Sequence, residues 1–360
     1  MLKEKPCVFA VGNTYQIIVL VESESLMWVR VGDKNYYDAS NGILRSGKNV
    51  HKMTVPMEAL NKEKKYIICE REVIERKPYM PDINEVQEYE FEFKPVESEA
   101  PRAYHVADAH NFEKTPVEAA KVFGEIDFLI LNGDIPNHSG EIENFRSIYK
   151  IAGDITNGNL PVVFSRGNHD MRGKYAEHLE EYTPTDNGKS YYTFRLGNVW
   201  GVILDCGEDK CDEWEDYNGT ICCRDFKLRQ TEFIKNIIEN KESEYMAEGV
   251  KTKLVISHTP FSVKKGVECF NIDFDIYSEW IKILNEQIKP DIAIAGHMHG
   301  LYVCRKGDEY DELGMECPVV VGSDVKFERE YHAGAGFTFN GGETIDVVFV
   351  DSDGKYEKMM

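Results

Sequence analysis

Residues 103–134 read AYHVADAHNFEKTPVEAAKVFGEIDFLILNGD, which is an apolar run, a stretch with helical signals and a second apolar run. Thr115 and Pro116, followed by Glu118, form a good helix start, because a capping residue, a proline and an acidic residue suit the first helical turn. Short continuous apolar runs are typical of buried strands. The segment therefore predicts a β-α-β unit, as in α/β folds.

The same alternation continues downstream of this unit. Apolar runs end in PVVFSRGNHD (161–170), KLVISH (253–258) and DIAIAGHMHG (291–300), and helical stretches such as FKLRQTEFIKNIIEN (226–240) lie between them. Residues 302–354 then carry several β-rich runs. We expect the first units to form one sheet and the later ones to complete a second.

The N-terminal part has a different texture. Residues 5–95 contain alternating or β-branched apolar runs, such as YQIIVLVE (15–22), with Gly, Asn and Asp turns between them. This pattern is typical of a small antiparallel sandwich of the immunoglobulin or fibronectin kind. We therefore divide the chain into an all-β sandwich domain, residues 1–97, and an α/β (α+β) domain, residues 98–360.

Composition limits the possible partners. The chain has 42 basic and 63 acidic residues, which gives a net charge of −21, so a nucleic acid backbone would be repelled. The start of the chain does not resemble a secretory signal, and no apolar stretch reaches the ~18 residues of a membrane span. The nine cysteines have no regular spacing, which favours reduced thiols. These features predict a cytoplasmic protein with neither nucleic acid nor membrane as partner.

Five short motifs follow the apolar runs. They are Asp108-Ala-His110, Gly133-Asp134-Ile-Pro-Asn137, Gly167-Asn168-His169-Asp170, Ser257-His258 and Gly296-His297-Met-His299-Gly300. Carboxylate, imidazole and amide groups are ligands for divalent metal ions, and strand ends of α/β sheets form the crevice where such folds bind. The candidate metal ligands are Asp108, His110, Asp134, Asn168, His258, His297 and His299.

The spacing of these residues suggests how they are arranged. Asp108 and His110 are two residues apart, as are His297 and His299, and such pairs share a face of an extended chain. If the strand geometry persists, Asp108 and His110 lie on one face and serve a single ion, and we expect His297 and His299 to occupy a second short extended segment. Asp134 is placed to bridge two ions, and Gly133 lets the backbone approach closely.

Two cations ~3.5–4 Å apart would lower the pKa of a bridging water and hold phosphoryl oxygens for in-line attack. The predicted nucleophile is then a metal-bridging hydroxide. His169 lies next to a ligand but outside the ligand set, so it is the candidate proton donor to the leaving group. Arg166, and secondarily Arg172, suits oxyanion charge, with a surface ion pair as the alternative.

Together these motifs resemble the calcineurin-like metallophosphoesterase superfamily over residues 101 to about 300. The resemblance implies a four-layer αββα sandwich with a dinuclear centre of iron, manganese or zinc. It also implies two ligand sets that share one carboxylate: Asp108, His110, Asp134 and His299 for one ion, and Asp134, Asn168, His258 and His297 for the other. The preceding β-sandwich resembles that of purple acid phosphatase-like proteins.

The chain departs from two branches of this superfamily. Purple acid phosphatases carry a tyrosine after the second motif and lack the first-motif histidine, whereas here Asn137 and His110 stand in these places. Protein Ser/Thr phosphatases have an Asp-Arg pair where this chain has Asn137-His138, which puts protein substrates in doubt. We expect Asn137 to assist His169, although an amide holds no charge to stabilise an imidazolium.

A long acidic loop, GEDKCDEWEDYNGTICCRDF (207–226), precedes a predicted helix. It is either a lid over the site or a solvated surface loop. Four of the nine cysteines lie between residues 206 and 223. Their spacing matches no zinc pattern, so plain loop thiols are favoured over an extra metal or redox site.

The sequence thus predicts a hydrolase that cleaves a small phosphomonoester or phosphodiester, with His169 as proton donor. The alternatives are a metal-holding scaffold of weak activity, a cyclic-nucleotide-type phosphodiesterase, and a nuclease, which the negative charge disfavours. The ligands do not distinguish monoesterase from diesterase. The natural substrate, the metals used and the oligomeric state are not specified by the sequence.

Overall fold

The computed structural model describes residues 1–39, 42–266, 270 and 272–360. The strands are β1 (Cys7–Val11), β2 (Thr14–Leu20), β3 (Ser25–Val31), β4 (Lys34–Tyr37), β5 (Val50–Pro56), β6 (Lys65–Glu75), β7 (Asp82–Ile83), β8 (Gln87–Glu92), β9 (Arg102–Val106), β10 (Phe128–Asn132), β11 (Pro161–Ser165), β12 (Tyr192–Leu196), β13 (Val199–Ile203), β14 (Thr252–Ile256), β15 (Ile292–Ala295), β16 (Gly300–Cys304), β17 (Val319–Lys326), β18 (Tyr331–Asn340), β19 (Thr344–Asp351) and β20 (Tyr356–Lys358). The α-helices are α1 (Met57–Glu63), α2 (Thr115–Phe123), α3 (Arg146–Thr156), α4 (Leu179–Tyr182), α5 (Cys223–Glu239) and α6 (Phe274–Ile283), the last extended by a π-helical turn at Leu284–Ile288. Short 3₁₀ helices occupy Ile142–Phe145, His169–Met171 and Lys174–His178.

Two sheets form the middle of the molecule. In the first, β9, β10, β11 and β1 run parallel, with β18, β19 and β20 on one side and β2 and β5 on the other. In the second, β13, β14, β15 and β17 run parallel, flanked by β12 and β16. Strand β17 also pairs with β18 and so joins the two sheets. The β-α-β prediction for residues 103–134 is confirmed, since β9 and β10 are parallel neighbours connected by α2.

Three apolar cores separate four layers. Helices α2 and α3 cover the outer face of the first sheet, and α5 and α6 cover that of the second. Between the sheets lie fully buried side chains such as Phe128, Ile130 and Ile256. Burying each such side chain contributes roughly 1.5–3 kcal/mol, so this inner core fixes how the sheets face each other. The predicted four-layer αββα sandwich is confirmed.

The N-terminal β-rich region forms a small sandwich whose sheets have different neighbours. Strands β3, β4, β6, β7 and β8 make an antiparallel sheet of their own. Strands β1, β2 and β5 instead extend the first central sheet, because β1 pairs in parallel with β11, Val8 opposite Pro161. Side chains of both groups, such as Met27 and Ile17, enter the core between the sheets. The domain boundary at residues 97 and 98 stays a prediction, and hydrogen bonds cross it.

The expectations about membrane spans and cysteines can be compared with the described residues. None of the described helices is long and apolar enough to cross a membrane. The eight described cysteines are free thiols, and Cys211 and Cys222 of the acidic loop are exposed. Cys269 lies outside the described residues.

Candidate metal centre

The candidate ligands lie just beyond the strand ends, in tightly turned backbone. Strand β9 ends at Val106 and β15 at Ala295, and the next residues do not continue as strands. The expectation of extended Asp108–His110 and His297–His299 segments is therefore wrong. All four residues have positive φ, between 44° and 69°. Residues other than glycine rarely adopt this backbone conformation. Where it occurs, the surrounding structure must hold it, often at a functional site.

Gly133 makes room for the crowded backbone at the centre. Its φ is +78°, and a Cβ there would lie 2.6 Å from the backbone N of Gly167 and 2.6 Å from Nδ1 of His258. A side chain would collide with both groups. The predicted close approach at Gly133 is confirmed.

Asp108, His110 and His299 form the first donor group. Oδ1 of Asp108 is 3.4 Å from Nε2 of His299 and 4.0 Å from Nε2 of His110. The two imidazole Nε2 atoms are 3.3 Å apart. Asp108 is fully buried and the donor atoms of the group face one another, which is the arrangement that a shared cation would satisfy.

Asp134, His258, His297 and Asn168 form the second donor group. Nε2 of His258 is 3.2 Å from Oδ2 of Asp134. The amide of Asn168 lies 3.1 Å from Nδ1 of His297 and 3.2 Å from Oδ2 of Asp134. The two groups are in contact, because Oδ1 of Asp108 is 3.7 Å from Nε2 of His258. The structure thus brings together all seven residues that the sequence singled out as ligands.

Outer contacts orient these donors. Nδ1 of His258 donates to the carbonyl of Asn132 at 2.6 Å, which leaves Nε2 free to face the carboxylates. Oδ2 of Asp108 accepts from the backbone N–H of His297 at 2.8 Å and from Oγ of Ser323. Such contacts fix which atom of a ligand points at a metal.

The residues fit metal ions on two observations. Oδ1 of Asp108 and Nε2 of His258 are buried and make no hydrogen bond of acceptable geometry, although Oδ2 of Asp134 is 3.2 Å from that Nε2. Buried polar atoms are rarely left so. Burial opposes charge on His258, yet the carboxylates of Asp134 and Asp108 outweigh it and raise the pKa of His258 to about 10. The pocket therefore attracts positive charge, and borderline divalent ions suit its nitrogen and oxygen donors.

His169 stands beside the donor groups in a defined protonation state. Its Nδ1 lies 2.7 Å from the carbonyl of Asn137, and its Nε2 lies 2.9 Å from Nη1 of Arg172. A carbonyl only accepts and a guanidinium only donates, so Nδ1 carries the proton and Nε2 is the acceptor. Burial, with Arg172 beside it, lowers the pKa of His169 against the opposing effect of Asp134. Its backbone N–H donates to Oδ1 of Asp134 at 2.8 Å.

Two sequence-based candidates are placed differently from the ligands. Asn137 contacts His169 through its backbone carbonyl rather than through the side chain that the sequence suggested. Arg166 donates from Nε to Oδ2 of Asp205 at 2.7 Å and lies over the ring of Phe226. The guanidinium that reaches His169 is that of Arg172.

Sequence reasoning missed two buried acids. Glu208 accepts from Nη2 of Arg172 at 3.0 Å, and Oδ2 of Asp209 lies 2.7 Å from Nε2 of His297. The available signal was the acidic loop after β13, but its composition is equally typical of a solvated loop.

Comparison with known proteins agrees with this geometry. The family model for calcineurin-like phosphoesterases matches residues 101–301. Among solved structures, a purple acid phosphatase from yellow lupin (Lupinus luteus) seeds superposes with a TM-score of 0.61 at 13% identity, covering 99% of this chain and 73% of that one. PhoD superposes with a TM-score of 0.54 at 10% identity, covering 99% of this chain and 91% of that one. A search of curated protein sequences gave no match.

At such low identities the two structures support the fold, while the family-model match extends over more than half of the chain. The histidine and aspartate donors, all within the matched residues, agree with that family's dinuclear centre. The chain belongs to the calcineurin-like phosphoesterase family, metal-dependent hydrolases of phosphoric esters.

Proposed function

We propose that this protein hydrolyses a small phosphomonoester or phosphodiester at a centre of two manganese, iron or zinc ions. The observation that carries the proposal is the contact between the two donor groups, which meet where Asp108 faces His258, with His169 close to His110 and Asp134. Asp108, His110, Asp134 and His299 would hold one ion, and Asp134, Asn168, His258 and His297 the other. When bound, such ions supply Lewis acidity and lower the pKa of water.

His169 is proposed to protonate the leaving oxygen from Nε2. The Asn137 carbonyl keeps its bond to Nδ1–H throughout, so the ring stays oriented while Nε2 gains and loses its proton. For Nε2 to carry a proton, Nη1 of Arg172 must turn away from it. A phosphoryl oxygen is the natural new acceptor for that guanidinium, since the two form charge-assisted hydrogen bonds.

Arg172 is therefore the better supported oxyanion partner of the two arginines. Arg166 is held through Nε by the buried carboxylate of Asp205, whereas the guanidinium of Arg172 contacts the proposed proton donor itself. We therefore propose that Arg172 contacts the substrate and that Arg166 supports the loop through its ion pair with Asp205.

The substrate is proposed to be small. A protein with a net charge of −21 repels polyanions, so single-stranded or duplex DNA should not be cleaved. We also propose a cytoplasmic location, because free thiols such as Cys206 and Cys223 fit a reducing compartment. Cell fractionation tests the location, and a DNA cleavage assay tests the substrate class.

The activity is tested with two chromogenic substrates. The purified protein, reconstituted with Mn²⁺, Zn²⁺ or Fe²⁺, is assayed on nitrophenyl phosphate and on bis(nitrophenyl) phosphate while its metal content is measured. Turnover of either ester with about two ions per chain supports the proposal, and the preferred ester separates monoesterase from diesterase. Two tightly bound ions without turnover on a broad phosphoester panel would favour the scaffold alternative.

A further inference from the structure

The acidic loop after β13 is built into the metal centre. The side chains of Glu208 and Asp209 are 0% and 2% exposed, which a solvated loop or an open lid would not show. Burying two adjacent carboxylates is costly unless each is paired. Their partners therefore indicate what the loop is for.

Asp209 is paired with a candidate metal ligand. Its Oδ2 lies 2.7 Å from Nε2 of His297, whose other nitrogen, Nδ1, lies 3.1 Å from the amide of Asn168. A carboxylate accepts the Nε2 proton, so the lone pair of Nδ1 is the one that faces the second donor group. Histidine ligands of metals commonly donate their outer N–H to a carboxylate in this way.

Glu208 is paired with the guanidinium that reaches His169. Its Oε2 accepts from Nη2 of Arg172 at 3.0 Å, and its Oε1 accepts from the backbone N–H of Asp209 at 2.9 Å. The hydroxyl of Tyr217, from the same loop, lies 3.3 Å from Nε of Arg172. One loop therefore holds both Arg172 and the ligand histidine.

A buried lysine behind the loop keeps it in place. Lys227 on α5 is 0% exposed and donates from Nζ to the carbonyl of Glu208 at 2.8 Å and to Oδ2 of Asp273 at 2.9 Å. Removing an ammonium from water requires partners of this kind. The start of the loop is thus held from its inner side.

We propose that Glu208 and Asp209 are a pair of positioning residues for the hydrolytic centre. Asp209 sets His297 to offer Nδ1 to the second ion, and Glu208 anchors Arg172 through Nη2, which leaves Nη1 able to move from His169 to a phosphoryl oxygen. This inference rests on the proposed function. It makes the start of the loop, at Glu208 and Asp209, a wall of the site.

Metal binding tests the role of Asp209 without any substrate. Titration calorimetry with Mn²⁺ or Zn²⁺ alone should show that Asp209→Ala weakens one of the two ions by about 10- to 100-fold and leaves the other unchanged. Asp209→Asn should fall between Asp209→Ala and the wild type, because an amide oxygen still accepts from Nε2. The matched control is Asp216→Ala, in the same loop, where an exposed acid pairs with Lys210.

The outcomes separate the two proposals. Wild-type affinity for both ions in Asp209→Ala would overturn the positioning role, whereas a wild type that binds no pair of ions would overturn the proposed function itself. If Asp209→Ala does not fold by circular dichroism, the graded affinity of Asp209→Asn decides. Glu208→Gln should keep both ions and raise KM more than it lowers kcat, since it loosens Arg172; unchanged kinetics would refute its role.

A second inference concerns an exposed aromatic ring at the same site. Phe327, in the turn between β17 and β18, has its ring centroid 5.3 Å from that of His110 and 5.8 Å from that of His299. It also lies 6.1 Å from Phe112, yet it is 58% exposed. A large apolar ring beside two ligand imidazoles thus leaves much of its surface open next to the metal centre.

We infer that Phe327 binds a planar, aromatic part of the substrate. Aromatic rings attract one another in offset or edge-on geometry, and such a contact changes affinity by about 2- to 10-fold. The leaving group of a phosphoester held at the donor groups is the part that would reach this ring. The substrate class is then an aryl-bearing phosphoester, and this inference too rests on the proposed function.

The test compares two leaving groups in one variant. Phe327→Leu keeps an apolar cover on His110 and should raise KM for nitrophenyl phosphate by about 2- to 10-fold, while KM for glycerol phosphate and the metal content stay unchanged. Phe274→Leu, also an exposed phenylalanine, is the control. Equal effects on both substrates, or no effect on either, would overturn the inference.

Discussion

Replacing His169 by alanine should separate proton transfer from metal binding. The backbone N–H of residue 169 donates to Oδ1 of Asp134 at 2.8 Å, and alanine retains that hydrogen bond. The imidazole Nε2 is 3.9 Å from Oδ2 of Asp134 and is already engaged by Arg172. We therefore expect His169→Ala to keep both ions and to lose about 10²- to 10⁴-fold in kcat, the usual contribution of a general acid.

The size of the loss should depend on the leaving group. A loss of that size corresponds to about 3–5 kcal/mol of transition-state stabilisation. A nitrophenolate leaves with little protonation, whereas an alkoxide needs the proton in full. The low end of the range is therefore expected for nitrophenyl phosphate, and the high end for glycerol phosphate.

Asp134→Ala is the matched comparison for this prediction. Asp134 is 3.2 Å from Nε2 of His258 and is shared between the two proposed ligand sets, so its removal should abolish metal occupancy and activity together. Metal content by mass spectrometry and kcat on both esters are measured for each variant. Loss of metal in His169→Ala as complete as in Asp134→Ala would show that His169 is a ligand, and the role assigned to it would be refuted.

Four further predictions follow from the same contacts. Asn137→Ala should change kcat less than about 3-fold, because the carbonyl that holds His169 remains, whereas a strong loss would assign the role to the side chain. Gly133→Ala should lose metal and at least ~1 kcal/mol of unfolding free energy. Gly12→Ala has a φ of +55° but nothing within 4 Å of its Cβ, so it should lose only the free energy of the strained backbone. Equal metal retention in the two variants would contradict the clash. Burial lowers the pKa of His105 to about 4, so the unfolded state binds a proton that the folded state resists. This group should therefore lower the free energy of unfolding by about 2 kcal/mol from pH 7 to pH 5. In His105→Gln, the free energy of unfolding measured with urea should lack this dependence on pH. Chelation should abolish hydrolysis reversibly and lower Tm. Each ion at a hundred times its Kd should restore about 2.7 kcal/mol, and a Tm indifferent to metal would argue against tight binding.

Local sequence patterns predicted much of the fold. The apolar runs before Asp108 and Asp134 became β9 and β10, and the helix between them begins at Thr115, with Lys114 rather than Thr115 as the capping residue. These features depend on neighbouring residues, whose periodicity and capping act over a single turn or strand. The ligand types were equally visible, because metal chemistry restricts which side chains serve.

Long-range pairing was not visible in the same way. Alternation in residues 5–95 indicated strands but could not show that β1 would pair with β11 across some 150 residues, Val8 opposite Pro161. A parallel strand neighbour is chosen by the packing of both faces of a sheet, and no local turn specifies it. A sandwich sheet therefore became continuous with a sheet of the metal-binding part.

By itself the sequence determined the strand-helix alternation, the donor residues and their order, since these depend on residue identity and local spacing. Only the tertiary structure decided that the Asn137 carbonyl and not its amide holds His169, that Arg172 rather than Arg166 faces it, and that Asp209 is buried against His297. Each of these depends on which atom of a residue faces the site and on how far water is excluded from it. Both are set by elements distant in the chain that pack together, and no short pattern of residues records them.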